Sequence, residues 1–360
     1  MSTSIPFIEA RGTHREVGRQ IGEAARDLVA QGLATYQERF LVLAGFGYDE
    51  ALERSAGYLR PAEDYVPQAV DQLRGLAEGA NASFEHLFAL NCSEEFTCAA
   101  DHVWPPGNHD RSAPEHCTSV AFVAGGRVVS GHNEDWYPED VEGLVVRKVT
   151  LADGTSYLSV GAACDLPMTG ITSRGLTSAA NTVYYRDERA GLPNNCLLAI
   201  VLQQPDLEHV RDLIVGAPRA RGSNHLLSDA RGRIWDIETS AERWAFIDGG
   251  ECFAHANHYI SAELAPGDAT GSDGSALRSA RAEEMLAAGI AAGDDPVALA
   301  EAVLSDHANE PLSICGHWDD DDPDEDQSVT TASMVWEPVE GRVHIARGQP
   351  CSSEYVTYSL

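Results

Sequence analysis

Apolar positions recur at helical spacing through the first hundred residues. Glu16-Val17-Gly18-Arg19-Gln20-Ile21-Gly22 runs into an Ala-rich stretch that ends near Phe40. A second pattern covers Tyr48 to Tyr58. A third covers Val66 to Ala77, where Val70, Leu73 and Leu76 repeat every three residues. Ser83 reads as the N-cap of a pattern carrying Phe84, Leu87, Phe88 and Leu90. The texture breaks from Asp101 to Glu115, where Pro105-Pro106-Gly107-Asn108 and Ser112-Ala113-Pro114 mark an irregular, exposed linker. Strand patterns follow. Cys117 to Ala124, the turn Gly125-Gly126 and Arg127 to Gly131 predict a hairpin; Leu144 to Leu151, Asp153-Gly154 and Thr155 to Val160 predict another. Asn224 to Asp229, Ile234 to Glu238 and Trp244 to Ile247 add strands. Helices return at Leu207 to Val215, Ala276 to Ala288 and Pro296 to Leu304. Val329 to Trp336 and Val343 to Ala346 read as the closing strands. Strands bracketed by helical blocks predict stacked sheets covered by helices, an α+β arrangement. The expected division is a helical segment over 1–100, a linker over 101–116 and a core over 117–360, with the helical segment part of one integrated domain.

Composition narrows the function. A 43% hydrophobic content supports a large buried core, and the formal charge of −31 excludes a nucleic-acid partner, which would need clustered Lys and Arg. No apolar run is long enough to cross a bilayer; the longest, Cys196 to Leu202, is core-sized. The start, Met1 to Phe7, lacks the basic segment and apolar stretch of a secretory signal, so a cytoplasmic location and reduced thiols are expected for the eight cysteines. Cys92 and Cys98 lie near His102 and His109, but the spacing matches no tight zinc-ligand pattern. Neither a metal nor a cofactor is expected. The acidic run Asp319 to Asp326 lacks the glycine and spacing of a calcium loop and reads as a solvated loop.

The candidate chemistry sits in His116-Cys117-Thr118-Ser119 and Gly131-His132-Asn133-Glu134-Asp135-Trp136. A cysteine at the junction of linker and strand is oddly placed for packing and well placed for backbone cleavage. Its thiol can attack the carbonyl of His116, and hydrolysis of the resulting thioester leaves Cys117 as a new N-terminus. An α-amine with an ordinary pKa of roughly 7.7–8.0 can then act as general base for its own thiol. Such a centre needs a carboxylate to orient the amine, for which Asp135 is the natural choice if the hairpin pairs. It also needs donors for the tetrahedral oxyanion, for which Asn257 and Asn181 are candidates. Either asparagine alone could equally be a turn or strand-end residue.

Together with Gly12-Thr13-His14-Arg15-Glu16-Val17-Gly18, Gln72-Leu73-Arg74-Gly75-Leu76-Ala77-Glu78-Gly79-Ala80, Ala89-Leu90-Asn91 and Glu94, these blocks make the chain resemble the C45 peptidase group of N-terminal-nucleophile hydrolases. That group includes acyl-CoA:6-aminopenicillanic acid acyltransferases and β-alanyl-amine hydrolases. The resemblance implies an αββα sandwich, self-cleavage between His116 and Cys117, and acyl transfer through a thioester on Cys117. It implies that Asp135 holds the N-terminal amine, that Asn257 forms the oxyanion hole with Asn181 lining it, and that Glu238, Ser240 and Arg278 face the substrate pocket. The expected substrate is a small-molecule amide, and the two self-cleaved chains are expected to stay associated. Two departures stand out: His116 occupies a position that is often Gly in the group, and Gly316, in Ser313-Ile314-Cys315-Gly316-His317, stands where Arg is frequent. Two other readings remain open. One is a conventional cysteine protease using Cys117, His255 or His258, and Asn257; the other is a non-catalytic binding scaffold.

Overall fold

A computed structural model describes residues 5–99, 117–270, 273–318 and 328–360. The linker with His102, His109 and His116, and the acidic run 319–326, lie outside the described residues. Strand β1 (Phe7–Gly12) leads into helices α1 (His14–Ala24), α2 (Arg26–Ala44), α3 (Tyr48–Tyr65), α4 (Pro67–Ala80), α5 (Phe84–Leu90) and α6 (Ser93–Ala99). Then come β2 (Thr118–Ala124), β3 (Arg127–Trp136), the short α7 (Asp140–Gly143), β4 (Leu144–Leu151), β5 (Ser156–Ala162), β6 (Gly170–Thr172) and β7 (Leu176–Asn181). Helices α8 (Asn194–Val201) and α9 (Leu207–Gly216) precede β8 (Ser223–Asp229), β9 (Ile234–Thr239), β10 (Trp244–Asp248) and β11 (Cys252–His255). Helices α10 (Asp273–Ala292) and α11 (Pro296–Leu304) and strands β12 (Val329–Glu337), β13 (Arg342–Arg347) and β14 (Val356–Ser359) complete the chain.

Two sheets face each other. One runs β1-β4-β5-β6-β7-β8-β9-β10 and the other β11-β2-β3-β12-β13-β14; every pairing is antiparallel except β1 with β4. Val146, Leu158, Ile171 and Ala179 of the first sheet meet Met334, Trp336, Val343 and Ile345 of the second, all buried. Helices α10 and α11 cover the outside of the second sheet, where Ala282, Leu286, Val303 and Leu304 pack on Val120, Phe122 and Val335. The N-terminal helices with α8 and α9 cover the first. The result is the expected αββα sandwich.

Several elements differ from the expectation, three of them at the ends or in the helical segment. The first hundred residues are not wholly helical: β1 alternates buried Ile8 and Ala10 with exposed neighbours and forms the edge of the larger sheet. Its six residues are too short to stand out beside the helical pattern that follows. Helix α3 continues past Tyr58 through Pro61 to Tyr65. Burial of Ala62 and a 2.9 Å hydrogen bond from the Tyr65 hydroxyl to Leu213 O hold that last turn in place. Finally, β14 follows β13 as the last strand.

The glycine-containing N-terminal motifs turn out to be a helix crossing. Thr13 and Glu16 form a reciprocal capping box at the start of α1, and α1 then lies directly on α4. A Cβ at Gly75 would stand 2.0 Å from Arg15 O, and one at Gly18 would stand 1.9 Å from Gln72 O. Gly22 and Gly79 are equally tight against Leu76 O and Arg19 O. Gly75→Ala is therefore expected to lose about 1–3 kcal/mol, because two packed helices must separate. Urea denaturation would check this, and an unchanged midpoint would mean that the crossing yields without cost.

Candidate active site

The β2–β3 hairpin builds the centre. Both turn glycines have left-handed φ, +58° at Gly125 and +78° at Gly126, as a two-residue turn of primed type requires. Pairing runs unbroken from Ala124↔Arg127 to Thr118↔Asn133. One step further, Cys117 stands opposite Glu134. The Cys117 Sγ accepts the Asp135 N–H at 3.4 Å and lies 3.7 Å from Asp135 O and 4.0 Å from Glu134 Oε1. The thiol is thus held against backbone at the end of the hairpin, 4% exposed.

Alternation along β3 sends its side chains to two faces. His132 and Glu134 share one face, and Glu134 lines the pocket. Asn181 Nδ2 donates to Cys117 O at 3.3 Å and to His255 O at 3.2 Å, so its Oδ1 is the atom that accepts from Ser119 Oγ. Ser119 has only one hydroxyl hydrogen, so His132 Nδ1, 2.8 Å away, must donate to it. His132 Nε2 lies 3.2 Å from Glu134 Oε2, and a proton must sit between those two atoms as well. Both ring nitrogens are therefore committed.

Asp135 points the other way, toward α10, and is fully buried. Neither of its carboxylate oxygens has a hydrogen-bond partner of good geometry among the described residues. Burial pushes its carboxyl up to about 7, against the pull of Thr330 and the Arg278 guanidinium. Arg278 is 1% exposed; burial pushes it down to about 10, opposed by Asp135 and Cys117. Its Nη2 donates to Asn257 Oδ1 at 2.8 Å and its Nε to Thr118 Oγ1 at 3.3 Å. Asn257, oriented in this way, donates one amide hydrogen to Thr182 O at 3.0 Å; the other is uncommitted among the described residues. Gly316 explains itself here: a Cβ at that position would lie 2.9 Å from Asp135 Oδ2.

The remaining sequence candidates lie elsewhere. Glu238 accepts from His255 Nε2 at 3.0 Å and from the N–H groups of Ile260 and Ser261, fixing the loop after β11. Ser240 donates to Asp187. Neither lines the pocket beside Cys117. His255 spends its second nitrogen on Ala256 O and His258 Nδ1 is bonded to Ser275 Oγ, while His132 is the histidine grouped with the thiol. Cys92, Cys164 and Cys196 are packed in the core, where burial pushes their thiols up. His132 and Glu134 were the site residues that the sequence did not single out, although their i, i+2 spacing opposite Cys117 carries the signal.

The thiol opens onto a pocket walled by Trp136, Leu144, Asn181, Asn195 and Leu198. Tyr36 and Glu94 bring the N-terminal helices into its wall. Glu94, Glu134, Asp140 and Asp165 contribute carboxylates, and no Lys, Arg or His is among the described lining residues. Glu94 is paired with Arg221.

Several known proteins are similar to this chain in part. A Drosophila melanogaster β-alanyl-dopamine/carcinine hydrolase is 27% identical over 135 residues, which is 37% of this chain and 33% of that relative. The chain therefore matches only about a third of the relative's length. Among solved structures, penicillin V acylase from Agrobacterium tumefaciens is similar at 15% identity over 64% of this chain and 83% of that one, with a TM-score of 0.44. A mutant conjugated bile acid hydrolase from Clostridium perfringens is similar at 13% identity, over 68% and 97% of the two chains, with a TM-score of 0.45. The profile of the acyl-coenzyme A:6-aminopenicillanic acid acyl-transferases matches residues 123–352, which take in Asp135, Asn181, Asn257 and Arg278 and begin six positions after Cys117. With 64% of its length matched, the chain belongs to the acyl-coenzyme A:6-aminopenicillanic acid acyl-transferase family.

Proposed function

We propose that the chain is a cysteine N-terminal-nucleophile amidohydrolase, with acyl transfer as the related reaction, that matures by cutting its own His116–Cys117 bond. The observation that carries this reading is a buried Asp135 carboxylate, without a hydrogen-bond partner of good geometry among the described residues, behind a Cys117 thiol whose neighbouring His132 is engaged at both ring nitrogens by Ser119 and Glu134. A buried carboxylate without hydrogen bonds is costly, and the α-ammonium that forms on Cys117 when its amine takes the thiol proton would supply a nearby donor and counter-charge. In the maturation step, Cys117 Sγ attacks the His116 carbonyl and the scissile nitrogen takes a proton. Water then releases the His116 carboxylate and restores the thiol. In turnover, the Cys117 amine takes the thiol proton as Sγ attacks the substrate amide. The leaving amine takes that proton as the thioester forms. Water, or a second amine in transfer, attacks the thioester; the C–S bond breaks, the acyl group leaves as an acid or a new amide, and a proton returns to Sγ.

Asn257 is the residue assigned to the oxyanion, because it has an amide hydrogen to give and the Arg278 bond fixes its rotamer. Asn181 braces the Cys117 backbone from the other side. Asn257→Ala should lower kcat about 10²–10³-fold with KM little changed. Steady-state kinetics on an amide that the parent hydrolyses would check it, and an unaltered kcat would remove Asn257 from this role. Substrates are small N-acyl amines. Burial pushes the Asp140 and Asp165 carboxyls up and Glu94 is paired with Arg221, so it is Glu134, with no cation among the described lining residues, that supports substrates carrying an amine over those carrying an acid, in keeping with what the name of the Drosophila relative describes. The decisive test is hydrolysis of a panel of N-acyl amines by the cut and uncut protein, where activity confined to the cut form is expected.

A second reading, thiol catalysis by an intact chain, draws on His132, whose ring lies close to Cys117 and Glu134. It requires a ring nitrogen open to the thiol, whereas both are engaged by Ser119 and Glu134.

A further inference from the structure

Four metal-binding side chains converge outside the active site. His307, in the turn after α11, meets Cys315 and His317 from the following loop and Cys351 from the turn after β13; their ligand atoms all lie within 4.8 Å of one another. His307 Nε2 is 3.1 Å from His317 Nε2, while Cys315 Sγ and Cys351 Sγ are 3.5 Å and 3.4 Å from that same nitrogen. Zinc bonds of about 2.3 Å to sulfur and 2.0–2.1 Å to nitrogen give tetrahedral edges of roughly 3.4 Å between nitrogens and 3.6 Å between nitrogen and sulfur. The observed separations fall within about 0.3 Å of those edges. Hydrogen bonding does not account for the cluster, since His317 Nε2 has one proton or one lone pair and three neighbours.

The geometry points to a structural zinc site of two cysteines and two histidines, His307, Cys315, His317 and Cys351, that clamps the loop after α11 to the C-terminal tail. Four protein ligands fill the tetrahedron and leave no position for substrate, which separates this centre from hydrolytic metal sites. Its scaffold is firm. Cys315 N–H bonds to Asp306 O at 3.0 Å, and Arg281 of α10 holds the Asp306 carboxylate with two bonds of 3.1 Å and 3.0 Å. On the tail side, Gly348 N–H bonds to Thr331 O at 2.8 Å, and Ser353 Oγ donates to Arg347 O. The clamp also reaches the proposed catalytic centre by one residue. Gly316, between two of the ligands, donates to Thr330 Oγ1 at 2.8 Å and presses against Asp135. The metal thus sets the wall behind that carboxylate. The spacing His307, Cys315, His317, Cys351 contains no adjacent cysteine pair, so the chain alone does not announce it.

The test is metal analysis of the full-length protein, purified without chelator under reducing conditions, by plasma mass spectrometry. One zinc per chain is expected. Cobalt(II) exchanged into the protein should give tetrahedral d–d bands and thiolate charge transfer, a readout independent of activity. Cys351→Ser and His307→Ala should each weaken zinc at least about 100-fold, more than loss of a supporting partner does. A parent that retains no metal, and binds added zinc no more tightly than the Cys315→Ser/Cys351→Ser variant, overturns the proposal. So does a Cys315–Cys351 disulfide in peptide maps of the freshly isolated protein. If a variant fails to fold, the cobalt spectrum of the parent still decides.

Discussion

Cys117→Ala is expected to purify as one 38.7 kDa chain, whereas the parent should yield two fragments of about 12 and 26 kDa, the heavier starting at Cys117. These sizes follow from dividing the mass by residue number at the proposed cut. The alanine variant has no atom able to attack the His116 carbonyl and should lose turnover entirely. Cys117→Ser should cut more slowly, because its hydroxyl makes the same acyl shift as a weaker nucleophile. Denaturing mass spectrometry distinguishes all three. Cleavage that persists in the alanine variant would remove the nucleophile from the mechanism, and an uncut, active parent would favour catalysis by the intact chain.

Asp135→Asn has opposite effects in the two states of the chain. In the uncut Cys117→Ala background, the folded protein keeps the Asp135 proton up to about 7, whereas the unfolded chain releases it near the ordinary carboxyl value of about 3.9. Between those values the unfolded state binds fewer protons, so stability falls as pH rises, by up to roughly 4 kcal/mol for a shift of about three units. Replacing the carboxyl by an amide removes that loss. The double variant should be about 2–4 kcal/mol more stable than Cys117→Ala at pH 8 and little different at pH 4. Parallel denaturant titrations at the two pH values measure it, and equal slopes against pH would mean that Asp135 is not the buried acid responsible. In the matured parent, the amino group that the cut creates would instead hold Asp135 ionised, so the same substitution should impair turnover.

The sheets and their helical covers were legible in the sequence because period-two and period-3.6 patterns over eight or more residues outweigh local noise. Leu144–Leu151, Val329–Glu337 and α11 emerge close to where their patterns put them. Short elements were not: β1, β6 and β11 have six, three and four residues, and their strand character comes from the neighbours they pair with. Pro61 shows tertiary packing overriding a local breaker. At the site, the Gly125-Gly126 turn set the hairpin register and with it the proximity of Asp135 to Cys117. Strand alternation puts His132 and Glu134 on one face, but pattern reading could not supply that this face, and not that of Asp135, meets Ser119 and the thiol. Nor could it separate the two asparagines, since only the partners of each Nδ2 show which has a hydrogen to give.

The parallel pairing of β1 with β4 has a consequence for the matured protein. The proposed cut falls between α6 and β2, so the outermost strand of the larger sheet and the α1 partner of α4 would belong to the light fragment, while β4 belongs to the heavy one. Once severed, neither piece retains a complete core. Folding, which begins as a first-order event in one precursor, becomes a second-order reassembly for any molecule that later comes apart. Thermal denaturation of the cut enzyme should therefore depend on protein concentration, and that of Cys117→Ala should not. Maturation would make the fold a one-time achievement, completed before the bond that allowed it is spent.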